Sequence, residues 1–332
     1  MLSIKQVTNM EQISFSENTT WKITAIEVRR HILKSLYNWW NKYDKDRFPG
    51  PLPVSIERQH FPKLSNNPYW VCAKTDGVRY LMVCIKSLDC SDKQYCVLIN
   101  RRNEIFLIQL YTLKNVFDGT VLDGELIKNK ETNKYDFLVY DATRICGEDT
   151  TKLPHSARIS KVRNLIHSHF CISEHHGMDV KVKTFMELEQ ISTYNKQVLP
   201  YIPYENDGLI FTPENDPVTS GTSVNMFKWK PLKQNTVDFW VECDYRFKNR
   251  YIIKLSKGPR LICLHDHYVH VPPRMIDDLP GIVECAYNGR NNWVGLLIRE
   301  DKSHPNHVYT MTKTLLNIQE NILVEEFENV KS

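Results

Sequence analysis

Between residues 69 and 141 six short apolar segments follow one another: YWVCAK, RYLMVCI, YCVLIN, EIFLIQL, TVLDGELI and YDFLVYDAT. Most are rich in Val, Ile, Phe and Tyr, and polar or glycine-containing turns separate them, as an antiparallel sheet requires. A chain built around this stretch carries an antiparallel sheet at its centre, and its flanks add the helices. Residues 22–44 carry Ile26, Ile32, Leu33, Leu36, Tyr37 and Trp40 at helical spacing, and the helix should stop before RFPGPLP, where prolines and a glycine break any regular element. The sheet therefore belongs to an α+β protein.

Residues 155–197 read as helical and then mixed, and DGLIFT and NMFKWK return to strand. After KWKPLKQNTVDFWVEC come further short strands to about residue 300, compact enough for a small barrel. The closing segment, TKTLLNIQENILVEEFENV, places Leu315, Leu316, Ile318, Ile322, Leu323 and Phe327 on a helical period, so it should pack on a core. There is no internal repeat and no low-complexity tract. At 332 residues the chain holds one large domain or two ordinary ones, with a natural boundary near 235–240.

Composition narrows the function classes. The chain is 42% hydrophobic and 25% charged, a globular make-up rather than a disordered one. Its formal net charge is only +4, so a nucleic acid would have to meet a local groove rather than a basic tail. The start, MLSIKQVTNMEQISF, has no cationic segment followed by an apolar one, and no run of about 18 apolar residues exists. An intracellular protein with no secretion or membrane signal is expected. The nine cysteines are scattered without a CxxC pair and read as reduced thiols. HDHYVH brings His265, His267 and His270 close in sequence, but alternate residues of an exposed strand give the same pattern, and zinc is not indicated.

The stretch VCAKTDGVRYL is where chemistry enters. A lysine taken singly is a surface lysine by default. Lys74, Asp76, Gly77 and Arg79 in a K-x-D-G-x-R arrangement, at the turn between two strands, are a less casual set. KTDGVR resembles motif I of the covalent nucleotidyltransferases, the superfamily of mRNA capping guanylyltransferases and ATP-dependent polynucleotide ligases. DGEL (123–126), FLVYDA (137–142), DGLIF (207–211), MFKWKP (226–231) and REDK (299–302) are similar to its motifs III, IIIa, IV, V and VI, in that order. FPGPLPVSIERQHF and KTLLNIQENI further resemble the small single-chain capping enzymes of large DNA viruses of algae.

The resemblance implies two domains. A nucleotidyltransferase domain of mixed antiparallel sheet would span 1–237, with the helix 312–332 packing back on it, and an OB-fold β-barrel would span 238–311. Lys74 is then the nucleophile that attacks the α-phosphate of GTP. An ordinary lysine, with a pKa of about 10.4, is protonated at neutral pH and has no lone pair to attack with. A cation at about 4 Å, worth roughly 4 kcal/mol at an effective dielectric near 20, would lower that pKa. Lys228 and Lys230, two apart on one strand, are expected to project to one face and supply this field.

Arg79 would hold the ribose or a phosphate through its planar fork. Gly77 would let backbone approach the nucleotide or take a positive φ, and Asp76 would orient its neighbours. Asp207 is expected on a divalent metal, Mg²⁺ or Mn²⁺, and Glu125 on the sugar or in the metal shell; either DG seen alone is a plain hairpin turn, but the EL and LIF that follow favour a strand-edge site. Tyr140 stands where the family stacks an aromatic ring, usually Phe, on the purine. Lys183 and Arg101 resemble nucleotide-contacting residues that no rigid motif holds in place. Arg299, Asp301 and Lys302 would act on the β- and γ-phosphates when the barrel closes.

An mRNA guanylyltransferase follows: GTP and Lys74 give lysine–GMP, and GMP passes to the 5′-diphosphate end of an RNA. Its partners would be GTP, that RNA, and separate chains for the RNA triphosphatase and cap methyltransferase steps, with no membrane. An ATP-dependent ligase using the same lysine is the alternative within the superfamily. A non-catalytic nucleic-acid-binding module is the alternative outside it.

Overall fold

Both faces of the segment RYLMVCI are covered, which explains why it lacks a polar face. The computed structural model describes residues 10–15, 18–40, 48–87, 93–172, 178–247 and 250–331. Strands of three or more residues are β1 (Met10–Phe15), β2 (Asn18–Ile23), β3 (Pro51–Ser55), β4 (Tyr69–Thr75), β5 (Val78–Lys86), β6 (Gln94–Ile99), β7 (Ile105–Ile108), β8 (Thr120–Lys128) and β9 (Tyr135–Ile145). They continue as β10 (Met178–Val182), β11 (Asn206–Pro213), β12 (Gly221–Trp229), β13 (Thr236–Cys243), β14 (Tyr251–Lys257), β15 (Arg260–Cys263), β16 (Tyr268–His270), β17 (Gly281–Tyr287) and β18 (Asn292–Ile298). The long helices are α1 (Ile26–Trp39), α2 (His155–His169) and α3 (Val308–Glu320).

A nine-stranded sheet runs β1-β2-β7-β6-β5-β8-β9 to a short strand at 148–149, and β10 joins β9 in parallel. Along β5, Leu81, Val83 and Ile85 meet Ile32 and Leu36 of α1, while Met82 and Cys84 turn to Val162 and Leu165 of α2 and Phe137 and Val139 of β9. Period-two alternation into two apolar layers needs an unbroken hydrophobic run. A second sheet is ordered from a short strand at 186–187 through β4, β11 and β12 to β3. Helix α1 is shorter than the 22–44 expected from periodicity. Residues 18–23 are in β2, which pairs with β7 through Trp21 and Leu107, and the expected end at 41–44 lies outside the described residues.

The remaining strands form one sheet, β15-β14-β13-β17-β18-β16, in which β16 pairs parallel to β18. The last strand of this order, β16, also lies against β14, so the sheet curls round on itself as an OB-fold barrel does. Val237, Phe239, Val241, Ile253, Leu255, Val283 and Trp293 fill it.

The described chain divides into two compact units, Met1–Val54 with Lys63–Lys228 and Lys331–Ser332, and Ser55–Pro62 with Trp229–Val330. This differs from the expected boundary at 237/238. It also alters the placement of the final helix: Met311 and Leu315 of α3 enter the barrel core, and Asn317 Nδ2 donates to the Ile56 carbonyl at 2.6 Å. Ile56 lies in the range expected for the first domain, but its segment groups with the barrel. Nor is the closing segment one helix. Asn321, at φ 43°, ends α3 in the left-handed conformation that asparagine tolerates, and a 3₁₀ turn carries Phe327 back into the core.

Candidate active site

Two β-bulges in the first unit aim the residues that matter. On β11, Asn206 pairs with Thr75 and Leu209 with Ala73, so three steps on one strand answer two on the other. The surplus falls at Asp207-Gly208, where Gly208 has φ 146°, a conformation that favours glycine. The bulge presents Asp207 to the strand opposite, and Lys74 Nζ donates to Asp207 Oδ1 at 2.6 Å. On β9, Val139 pairs with Gly124 and Asp141 with Asp123, which leaves Tyr140 as the extra residue of a second bulge. Behind it a buried ion pair, Arg158 to Asp141 at 2.6 and 2.9 Å, ties α2 to the strand.

Across β5 and β8, Arg79 reaches diagonally to Asp123, its Nε donating to Oδ1 at 2.9 Å and its Nη2 to Oδ2 at 2.5 Å. Nη1 donates to the Pro51 carbonyl at 2.8 Å. Burial pulls the pKa of Arg79 down, but the Asp123 charge outweighs it and leaves the guanidinium above its usual range. Tyr140 Oη donates to the same Asp123 Oδ1 at 2.7 Å, which spends the hydroxyl that distinguishes it from phenylalanine. Burial raises the Tyr140 pKa well above its usual value, so the hydroxyl stays a donor. Arg101 stands beside this set. Its pKa is lowered, first by desolvation of its head and then by the positive charge of Arg79.

Lys183 is brought in as well. Its Nζ lies 2.6 Å from Glu125 Oε1, 3.2 Å from the Ala73 carbonyl and 5.3 Å from the centre of the Tyr140 ring. Burial raises the pKa of Glu125, and Lys183 opposes that rise. Lys74, Arg79, Arg101, Glu125, Tyr140, Lys183 and Asp207 are thus linked, by contact or by charge, into one cluster that joins strands of both sheets. Cys72, Ile210 and Phe185 pack around Tyr140 as an apolar floor.

Several expectations need revision. Lys74 meets the Asp207 carboxylate, a contact that the sequence did not suggest. Lys228 does share its face: Phe227 stacks on Tyr69 at 5.9 Å on one side of the sheet, so Lys228 on β12 and Lys74 on β4 point to the other. Lys230 lies just past the end of β12 and groups with the second unit. Neither DG is a hairpin turn, because Asp123-Gly124 lies inside β8 and Asp207-Gly208 in the bulge of β11. Gly77 does not take a positive φ. A Cβ there would stand 2.8 Å from the Leu126 carbonyl and 3.0 Å from Ile127 Cβ. Asp76 is exposed and donates its N–H to the Glu205 carbonyl at 3.0 Å.

In the second unit, Arg299 donates to Asp301 twice at 2.8 Å, to Glu284 at 3.0 Å and to Asp238 at 3.3 Å, and Lys302 also pairs with Asp238. Arg299 holds the Asp301 pKa down at about 2. Within HDHYVH, His267 Nδ1 accepts from Trp293 Nε1 at 3.1 Å. The residue that sequence reading missed is Asp123, 1% exposed, which joins Arg79 to Tyr140. Its only signal was its place as the first letter of DGEL.

The mRNA capping enzyme catalytic domain family matches residues 17–232, and the capping enzyme C-terminal domain family matches 234–327. The chain is similar to the mRNA-capping enzyme subunit alpha of Schizosaccharomyces pombe, 27% identical over 85% of this chain and 79% of that protein. The Saccharomyces cerevisiae subunit alpha is 26% identical over 85% and 78%. The Caenorhabditis elegans mRNA-capping enzyme is 27% identical over 92% of this chain and 52% of that protein. With both of its domains matched in order, the chain belongs to the mRNA capping enzyme family.

Proposed function

We propose that this mRNA guanylyltransferase does its chemistry on Lys74, in the cluster that joins strands of both sheets. The observation that carries the reading is the meeting of Lys74 and Asp207 at a bulge, facing a buried row of Arg79, Asp123, Tyr140 and Lys183. The purine stacks on Tyr140 with Lys183 at its edge, while Arg79 and Arg101 receive the sugar and phosphates. Lys74 Nζ, having passed one proton to solvent and given up its contact with Asp207, attacks the α-phosphorus and sheds a second proton to solvent as it bonds. The N–P bond forms, the bond from Pα to the β-bridging oxygen breaks, and pyrophosphate leaves. In the second step the terminal phosphate oxygen of a 5′-diphosphate RNA attacks the same phosphorus, the N–P bond breaks and Lys74 is released. Lys228, Lys230, Arg299 and Lys302 supply positive charge to the triphosphate, and Asp301 orients Arg299.

A divalent cation, Mg²⁺ or Mn²⁺, would supply charge neutralisation of the triphosphate. The donors fit it in kind: Asp207 offers a hard carboxylate oxygen and Glu125 a second. Among the described residues no three His, Cys, Asp or Glu side chains gather as a cage, which suits an ion that takes most of its ligands from water and phosphate.

The reading also takes the chain to be of the small single-chain type found in large DNA viruses of algae, supported by FPGPLPVSIERQHF and KTLLNIQENI. Triphosphatase and methyltransferase steps are then supplied by other chains. The site of action is inside a cell, in the nucleus or at a viral replication site. Among the described residues no helix is long and apolar enough to cross a membrane.

The test is incubation with α-labelled GTP and Mg²⁺ followed by denaturing electrophoresis, for the parent and for Lys74→Met. Label should stay on the parent and be absent from the variant. Retention of label from ATP instead would replace this reading with the ligase one, and retention of neither would leave only a nucleic-acid-binding role.

A further inference from the structure

The connection from β13 to β14 holds two rings that the fold does not bury. Tyr245 is 94% exposed and Phe247 53% exposed. Phe247 is nonetheless held in place, because Asp244 three residues before it is buried and organises the segment. Its carboxylate accepts from Arg246 Nε at 2.8 Å and Nη2 at 3.1 Å, and lies 3.9 Å from Arg250 Nε. Its backbone N–H donates to the Arg250 carbonyl at 2.9 Å, and its carbonyl accepts from the Phe247 N–H at 3.0 Å. The guanidinium carbons of Arg246 and Arg250 lie 5.9 and 5.0 Å from the centre of the Phe247 ring.

The outcome is two accessible π surfaces beside two cations, with Phe247 fastened by local bonds rather than by core packing. A partner that matches both must carry flat rings and negative charge in alternation, which is the chemistry of a single-stranded nucleic acid. In small five-stranded barrels the loop between the first two strands is one of those that grip oligonucleotides, and this connection occupies that place. The protein's reaction already calls for an RNA acceptor.

We propose that Tyr245, Phe247 and Arg250 form a docking surface for the single-stranded 5′ segment of the acceptor RNA, downstream of the end that receives GMP. This rests on the guanylyltransferase reading. The rings stack on bases and Arg250 meets a phosphate. Arg246, committed to Asp244 by two bonds, is a positioning residue that keeps the Phe247 ring in place.

The experiment uses the full chain, a Tyr245→Ala/Phe247→Ala double variant and Arg250→Gln. Labelling of Lys74 by GTP reports the first half-reaction and the integrity of the fold. Transfer of GMP is then measured to a 5′-diphosphate RNA of about 16 nucleotides and to a 5′-diphosphate dinucleotide. Labelling should proceed at the parent's rate and transfer to the dinucleotide should be unchanged. KM for the longer RNA should rise about tenfold in the double variant, with kcat unchanged. For Arg250→Gln the rise should be smaller and the salt dependence of KM shallower, by about one phosphate contact. A KM for the longer RNA equal to the parent's would overturn the proposal, and the rings would then serve another partner, such as a protein. Equal losses on both RNAs would also overturn it. Failure of the parent to take label at all would instead refute the guanylyltransferase reading beneath it.

Discussion

Asp123 is the residue whose loss should be felt most widely, and Asp123→Asn is the sharpest way to remove its charge. The side chain is 1% exposed and faces an Arg79 side chain that is 9% exposed. Asparagine keeps one oxygen for Arg79 Nε and Tyr140 Oη. Its amide nitrogen then faces Arg79 Nη2 across a 2.5 Å contact, donor against donor. Removing one partner of a buried ion pair costs about 3–5 kcal/mol, because the remaining charge stays buried without compensation. The Pro51 carbonyl still accepts from Nη1 at 2.8 Å, so the low end, about 3 kcal/mol, applies here. That is a large share of the roughly 5–15 kcal/mol that holds a domain together. Urea unfolding of parent and variant should show the midpoint falling with an unchanged slope. GTP labelling, measured where both proteins are folded, should fall as well, since the ring and the guanidinium lose their common anchor. A loss of stability below about 1 kcal/mol with full labelling would refute the reasoning, since a surface ion pair contributes no more than that.

Gly77→Ala should destabilise by about 1–3 kcal/mol, the usual cost of overpacking, because the Cβ would meet the Leu126 carbonyl at 2.8 Å and backbone cannot swing aside. Equal urea midpoints for the two proteins would exclude this account of the glycine. For the barrel, Asp301 has its pKa lowered from 3.8 to about 2, so its contribution to stability is complete above the first value and drains away as pH falls toward the second. Thermal unfolding across that window should therefore be less steep in pH for Asp301→Asn than for the parent. Identical profiles would mean that the Arg299 pair contributes nothing to the barrel.

The strands along 69–141 and the helical period of residues 26–39 were legible because each rests on a local rule, alternation of two in one case and 3.6 in the other, but that β4 pairs in the second sheet was not. The site was legible as an ordered set of short motifs, since the chemistry of a phosphoryl transfer to lysine demands particular residue types. What stayed hidden were contacts between strands distant in the chain. DG inside a strand looks the same in sequence as DG in a hairpin, and only the partner strand's register decides between bulge and turn. Asp123 had no local mark of its role, because that role is to be shared by residues 44 and 17 positions away.

By itself, then, the amino-acid order determined the two architectures and the family, because periodicity and side-chain chemistry are properties of neighbours along the chain. Only the tertiary structure decided that Lys74 meets Asp207, a carboxylate carried on a bulged strand. It also decided that the last helix contributes Met311 to the barrel core. Both outcomes turn on which surfaces are left to bury once the sheets have paired, a quantity summed over the whole molecule.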